Sequence, residues 1–144
     1  MKTLLILRHG QAMSHSPSGD KGRTLTRKGA QEAAEVGRQI QEQFGCPDLI
    51  LASDATRAHR TAQIVAEVLA YPHDIDLRGA IYEASVNDLW EIIQSLPDTA
   101  YCALLVGHNP SLEQLAGIPV SLPTAGLIPF QFDIAHWQDV PEHF

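Results

Sequence analysis

The sequence predicts an α/β fold, a single three-layer domain in which a mainly parallel central sheet is flanked by helices. Two observations predict it. The apolar runs at 3–7, 48–53 and 102–109 are continuous rather than alternating, the pattern of strands buried on both faces. Between them lie stretches whose apolar residues recur at helical spacing. Strands and amphipathic helices in alternation imply an open parallel sheet covered on both sides.

Taken in order, "TLLIL" at 3–7 is the first strand, and Arg8, His9 and Gly10 follow it at once. Residues 11–25, "QAMSHSPSGDKGRTL", mix Ser, Gly, Pro and charge without periodicity and read as a loop, long enough to act as a lid or wall. Thr26 is the expected N-cap of a helix over about 27–44, where Ala30, Ala33, Val36, Gly37, Ile40 and Phe44 repeat; Gly45 and Pro47 stop it. "DLILAS" at 48–53 is a second buried strand. A helix over about 55–70 follows, carrying Ala58, Ala62, Val65, Ala66 and Leu69. "DIDL" at 74–77 is a weaker strand. Val86, Leu89, Trp90, Ile93 and Leu96 mark another helix, closed by Pro97. "CALLVGHN" at 102–109 is the third strong strand, a short helix begins near Ser111, and "IPFQFDI" at 128–134 alternates as a strand with one buried face.

A chain of 144 residues has the length of one domain, and 44% apolar with 19% charged residues is ordinary for a folded protein. The net charge of −7 argues against nucleic acid or an anionic membrane as a general partner. Any phosphate site must therefore concentrate its arginines against an acidic background. Cys46 and Cys102 are far apart in sequence and lack metal-ligand spacing, so a reduced protein is the simpler reading, with a single bridge the alternative. The opening apolar run is too short for a signal peptide and Arg8 and His9 interrupt it, so a cytoplasmic location is expected.

In an open parallel sheet, ligands bind beyond the carboxyl ends of the strands. The first strand delivers Arg8 and His9 there, the second leads to Arg57, and the third delivers His108. Each alone reads equally well as a structural or exposed side chain. Together they suit a phosphoryl group: guanidinium forks match its oxygens, and an unprotonated imidazole can attack the phosphorus. His9, His59 and His108 lack helix-type ligand pairs and an accompanying carboxylate, so nothing in the histidine spacing points to a metal site.

These residues carry a family resemblance. "LRHGQA" resembles the signature of the histidine phosphatase superfamily, which includes phosphoglycerate mutases and acid phosphatases. "SDATRAHRTA" at 53–62 is similar to its second motif and "LLVGHNPSLEQLA" at 104–116 to its third; "LPTAG" at 122–126 fits a closing element near the pocket. The resemblance implies a phosphoglycerate mutase-like fold, with His9 as the nucleophile and Arg8, Arg57 and His108 completing the phosphate pocket. Gly10 would allow close backbone approach. It implies no metal and no organic cofactor. The stretch between Arg57 and His108 leaves little room for a large lid insertion, and "IYEASVNDLWEII" with "VGHNPSLEQLAG" is similar to the SixA branch, assigned to phosphohistidine on signalling proteins.

Glu83 is the candidate general acid, because a carboxylic acid in this region protonates the leaving oxygen in other branches; the alternative is a helix-entry carboxylate or a partner for an arginine. His59 and Arg60 lie on the same helix as Arg57, with Arg60 read as a solvated charge rather than a rim contact. His15, Lys21 and Arg23 in the first loop are candidate substrate contacts. Asp20, Trp90 and Trp137 read as loop, core, and surface or core packing. After Gly117 the chain is shorter than the family pattern, so a helix there is expected to be reduced or missing, and with it the roles of Ala125 and Gly126. The expected function is a cofactor-independent phosphohydrolase working through phosphohistidine on His9, with a phosphohistidine-bearing protein as substrate. The alternatives are a phosphatase of small phosphate esters or phosphosugars, and a silent phosphate- or phosphoprotein-binding module.

Overall fold

The computed structural model describes residues 1–119, 121–142 and 144. Its centre is one five-stranded sheet in the order β3-β2-β4-β1-β5. The strands are β1 (Lys2–Arg8), β2 (Leu49–Ser53), β3 (Asp76–Arg78), β4 (Cys102–Gly107) and β5 (Leu127–Phe132). β1 runs parallel to β4, β4 to β2 and β2 to β3, while β5 pairs antiparallel with β1. The helices are α1 (Arg27–Gln43), α2 (Thr56–Leu69), α3 (Val86–Gln94) and α4 (Ser111–Ala116).

The three layers follow from the two faces of the strands. Leu5 and Leu7 of β1, Ile50 and Ala52 of β2, and Leu104 and Val106 of β4 point to one side and pack on Val36 and Ile40 of α1 and Ala58, Ala62 and Val65 of α2. Leu4, Ile6, Leu51, Ala103 and Leu105 point to the other and pack on Leu89 and Ile93 of α3, Leu112 and Leu115 of α4, and Trp137. All eleven of these strand side chains are fully buried, which is why their sequences show no alternation. The expected α/β architecture with a mainly parallel sheet is the observed one, and only β3, the short turn Gly79–Ile81 and α3 stand between α2 and β4.

Element ends fall where local chemistry places them. The Thr26 hydroxyl accepts from the Gly29 N–H and caps α1. At α3 the Ser85 side chain and Asp88 exchange bonds in a capping box. The edge strand β5 half-buries Ile128, Phe130 and Phe132 and exposes Pro129 and Gln131, the expected alternation. "DIDL" was expected at 74–77, yet the strand is Asp76–Arg78, because only those residues pair with Leu51–Ser53 of β2. Trp90, expected in the core, is half-buried and donates from its ring nitrogen to the Val140 carbonyl, whereas Trp137 is fully buried. Past Gly117 the described residues form no helix until the short turn Trp137–Asp139, in keeping with the expected reduction. Val120 of that segment lies outside the described residues.

Candidate active site

β1, β2 and β4 are parallel and adjacent, so their carboxyl ends open on one edge, and the residues that follow them meet there. His9 follows β1, His108 follows β4, and Arg57 stands in the first turn of α2 after β2. The two imidazole centroids are 5.2 Å apart. His9, Arg57 and His108 are buried and polar, while Arg8 is half-buried at the last position of β1.

The backbone around His9 is held tightly. Its N–H donates to the Gly107 carbonyl at 3.2 Å and its carbonyl accepts from the Ala125 N–H at 3.0 Å. The Gly10 N–H donates to the Thr61 hydroxyl at 3.0 Å, and that hydroxyl donates to the Arg57 carbonyl at 2.7 Å. A Cβ on Gly10 would stand 2.5 Å from the Gly29 carbonyl oxygen, so α1 crosses here at a distance that only glycine permits.

The His9 ring is fixed in one tautomer. Nδ1 lies 2.7 Å from the Gly10 carbonyl oxygen, which can only accept, so Nδ1 carries the proton and Nε2 the lone pair. Burial pushes the His9 pKa down to about 4; the Gly10 bond opposes this, and the Arg57 and Arg8 charges reinforce it. His108 is lowered to about 3, first by burial and then by His9 and Arg57. Both rings are neutral near pH 7. The Ser53 hydroxyl accepts from the Ala55 N–H and lies 2.8 Å from His108 Nε2. When the Ser53 proton goes to Nε2, the His108 proton sits on Nδ1.

Three buried nitrogens of these residues have no protein partner: Arg8 Nε, Arg57 Nε and His108 Nδ1. The remaining contacts hold the same side chains from behind. Arg8 Nη1 donates to the Leu122 carbonyl at 2.9 Å, and the Asn109 amide donates to the same oxygen at 2.9 Å. Arg57 Nη1 donates to the Asp20 carbonyl at 2.9 Å and Nη2 to its carboxylate at 3.2 Å. A neutral imidazole with a free lone pair beside unpartnered guanidinium and imidazole nitrogens is an arrangement that could bind a tetrahedral oxyanion and present a nucleophile to its centre.

Other expected residues divide. Gly126 accepts from the Arg8 N–H through its carbonyl and Ala125 bonds His9, so "LPTAG" lines the site through its backbone. Glu83 is exposed, follows Tyr82 with a left-handed φ of 57°, and shares a surface hollow with Ala84, Asp88 and Glu91; among the described residues no hydrogen bond joins it to His9, His108, Arg8 or Arg57. Arg60 is exposed and pairs with Glu67 at 3.8 Å, and His59 lies beside it along a groove with Thr24 and Gln63. His15 is exposed in a hollow shared with Asp20 and Arg23. Lys21 pairs with Asp54 at 3.0 Å and Arg23 with Asp20 at 3.0 Å. Asp20 lies in the loop, as read from sequence, and there accepts from Arg57, while Tyr82 donates to the same carboxylate at 2.6 Å. Ser53 and Tyr82, whose ring edge meets His108 at 5.6 Å, were not singled out at all. The only signal for Ser53 was a polar residue ending an apolar strand. Among the described residues no group of three or more His, Cys, Asp or Glu is placed to hold a metal, and both cysteines are free.

Comparison with known proteins places the chain. The model of the histidine phosphatase superfamily (branch 1) matches residues 4–100. An uncharacterised protein of Mycobacterium tuberculosis is 28% identical over 93% of this chain and 91% of its own. A crystal structure of a candidate phosphohistidine phosphatase SixA from Agrobacterium tumefaciens is 28% identical, covers 89% of this chain and 90% of that one, and superposes with a TM-score of 0.79. The protein histidine phosphatase SixA complexed with tungstate shares the fold at 22% identity and a TM-score of 0.84, over 91% of this chain and 88% of that one.

Proposed function

The chain belongs to the histidine phosphatase superfamily and is a histidine-type phosphatase, and we propose that it removes phosphate from phosphohistidine on a protein through an intermediate on His9. The observation that carries the reading is the His9 ring, with Nδ1 locked on the Gly10 carbonyl and Nε2 free, beside the unpartnered nitrogens of Arg8, Arg57 and His108. The tungstate held by one structural neighbour, a tetrahedral oxyanion, is the kind of group such a cradle suits.

In the first step His9 Nε2 attacks phosphorus, a P–N bond to His9 forms, and the P–N bond to the substrate imidazole breaks. The bonding pair leaves with that imidazole. Arg8, Arg57 and the His108 Nδ1–H hold the phosphoryl oxygens as charge spreads over them. Water then attacks phosphorus, the bond to Nε2 breaks, and phosphate leaves with His9 neutral again. Two observations favour phosphohistidine over esters. An ester leaving as alkoxide needs a proton from a well-placed acid, yet among the described residues no carboxylic acid is hydrogen-bonded to His9 or His108. An imidazole needs less help, because its nitrogen can be protonated before it leaves. The short crossing between α2 and β4 also leaves the site without a large lid, which suits a phosphoryl group carried on a protein surface. Glu83, beside Tyr82, is the candidate carboxyl for protonating an ester.

The test is phosphate release from a phosphohistidine-carrying protein domain and from an aryl phosphate, by wild type and His9→Ala. The reading expects preferential release from the domain, abolished in His9→Ala. His9-dependent preference for the ester would move the function to small phosphorylated compounds and Glu83 to general acid. Phosphate binding with no turnover of either would leave a binding module.

A further inference from the structure

Arg57 is gripped from one side only. Its two terminal nitrogens are taken by the carbonyl and carboxylate of Asp20, while Nε is buried and unpartnered. Asp20 opens the short turn Asp20–Gly22 at the crest of the loop between β1 and α1. That loop is closed at its base by the Ala12–Leu25 bridge and by the Met13 N–H on the Thr24 carbonyl. Arg23 ties it internally, donating to Asp20 Oδ1 at 3.0 Å and to the Met13 carbonyl at 3.0 Å. Two further bonds fasten the crest to the body: Lys21 to Asp54, and the Tyr82 hydroxyl to Asp20 Oδ2. The loop is thus a strap, laid over Arg57 and fixed at both shoulders.

A guanidinium has two forked edges. The strap occupies the edge made by the terminal nitrogens and leaves the Nε edge. We propose that Asp20 is a positioning residue for phosphoryl binding: its carboxylate, braced by Tyr82, holds Arg57 so that the Nε edge faces the phosphoryl group. This rests on the phosphoryl pocket proposed above. Tyr82 acts through Asp20, and Asp20 acts through Arg57. The Asp20 pKa is lowered to about 2, first by the Tyr82 bond and then by the Arg57 charge, so the carboxylate is ionised throughout the neutral range. The opposite role, a carboxylate that competes with phosphate for Arg57, predicts the reverse sign and is decided by the same measurement.

The experiment is equilibrium binding of inorganic phosphate to the full chain by calorimetry, using wild type, Asp20→Ala, Asp20→Asn, Tyr82→Phe, Arg57→Ala and the Asp20→Ala/Arg57→Ala double variant. Positioning predicts that Asp20→Ala weakens binding about tenfold, as expected for loss of a charge-assisted bond. Asp20→Asn, which keeps an acceptor oxygen, recovers part of the loss, and Tyr82→Phe shows a smaller loss. In the Arg57→Ala background, Asp20→Ala changes nothing further, which a merely structural role would not produce. Tighter binding by Asp20→Ala, unchanged binding, or an equal loss on both backgrounds overturns the proposal. Should Asp20→Ala not fold, Tyr82→Phe with and without Arg57→Ala carries the same cycle. Binding is read without turnover. Failure to dephosphorylate the phosphohistidine domain would therefore sink the function while leaving the strap result standing.

Discussion

His9 is held neutral by burial and by the charges of Arg57, Arg8 and Arg23, and its lone pair is directed by a single carbonyl. Its proposed role as nucleophile ties activity to that neutral form. Substrate turnover, measured as kcat/KM, is expected to stay level from neutrality down to about pH 4 and to fall below it, as the ring takes up a proton on Nε2. An acidic limb near the ordinary histidine value of 6.5 would mean that the ring is not buried as described. Gly10 gives a second test at this scale. Gly10→Ala would drive a Cβ against the Gly29 carbonyl 2.5 Å away, and is expected to cost roughly 1–3 kcal/mol in urea unfolding. Arg8, His9, Arg57 and His108 were legible in the sequence because each stands within a few residues of an apolar strand's end. Asp20, Ser53 and Tyr82 were not, since their partners are distant in the chain. Asp20 meets Arg57 across 37 positions and Tyr82 across 62, and no local pattern encodes such a contact.

Among elements, the parallel strands were legible because burial on both faces leaves continuous apolar runs. The direction of β5 was not, because alternation reports one buried face and says nothing of the partner's orientation. The third strand was displaced for a related reason. It is an edge strand of three residues whose limits are set by pairing with β2 rather than by its own composition. α1 is the element most fully specified locally, with a capped start and a buried face of Ala33, Val36, Gly37 and Ile40. Its cap also reaches the site: the Thr26 hydroxyl donates to the Gln11 side chain at 2.9 Å, one residue past Gly10. Thr26→Ala is expected to cost about 1 kcal/mol in unfolding free energy. Unchanged stability would show that the cap contributes nothing.

For the whole molecule, two buried neutral histidines couple the site to acid stability. In the unfolded chain each takes up a proton as the pH falls below 6.5, while in the folded chain they resist until about 4 and 3. The unfolded state then binds more protons, so stability falls with falling pH across that window. The urea midpoint is expected to drop between pH 6.5 and 4 in wild type and to fall less steeply in His108→Ala; parallel profiles would contradict the burial of that ring. The fold thus gives up stability below pH 6.5 to keep His9, the proposed nucleophile, neutral down to about pH 4. The most direct test of the account is to mix the protein with a radiolabelled phosphohistidine domain, quench in alkali, where a phosphoimidazole survives, and map the label by peptide. The account predicts an alkali-stable, acid-labile phosphoryl group on the peptide holding His9, absent from His9→Ala. Turnover with label on any other residue, or undiminished turnover by His9→Ala, would contradict it.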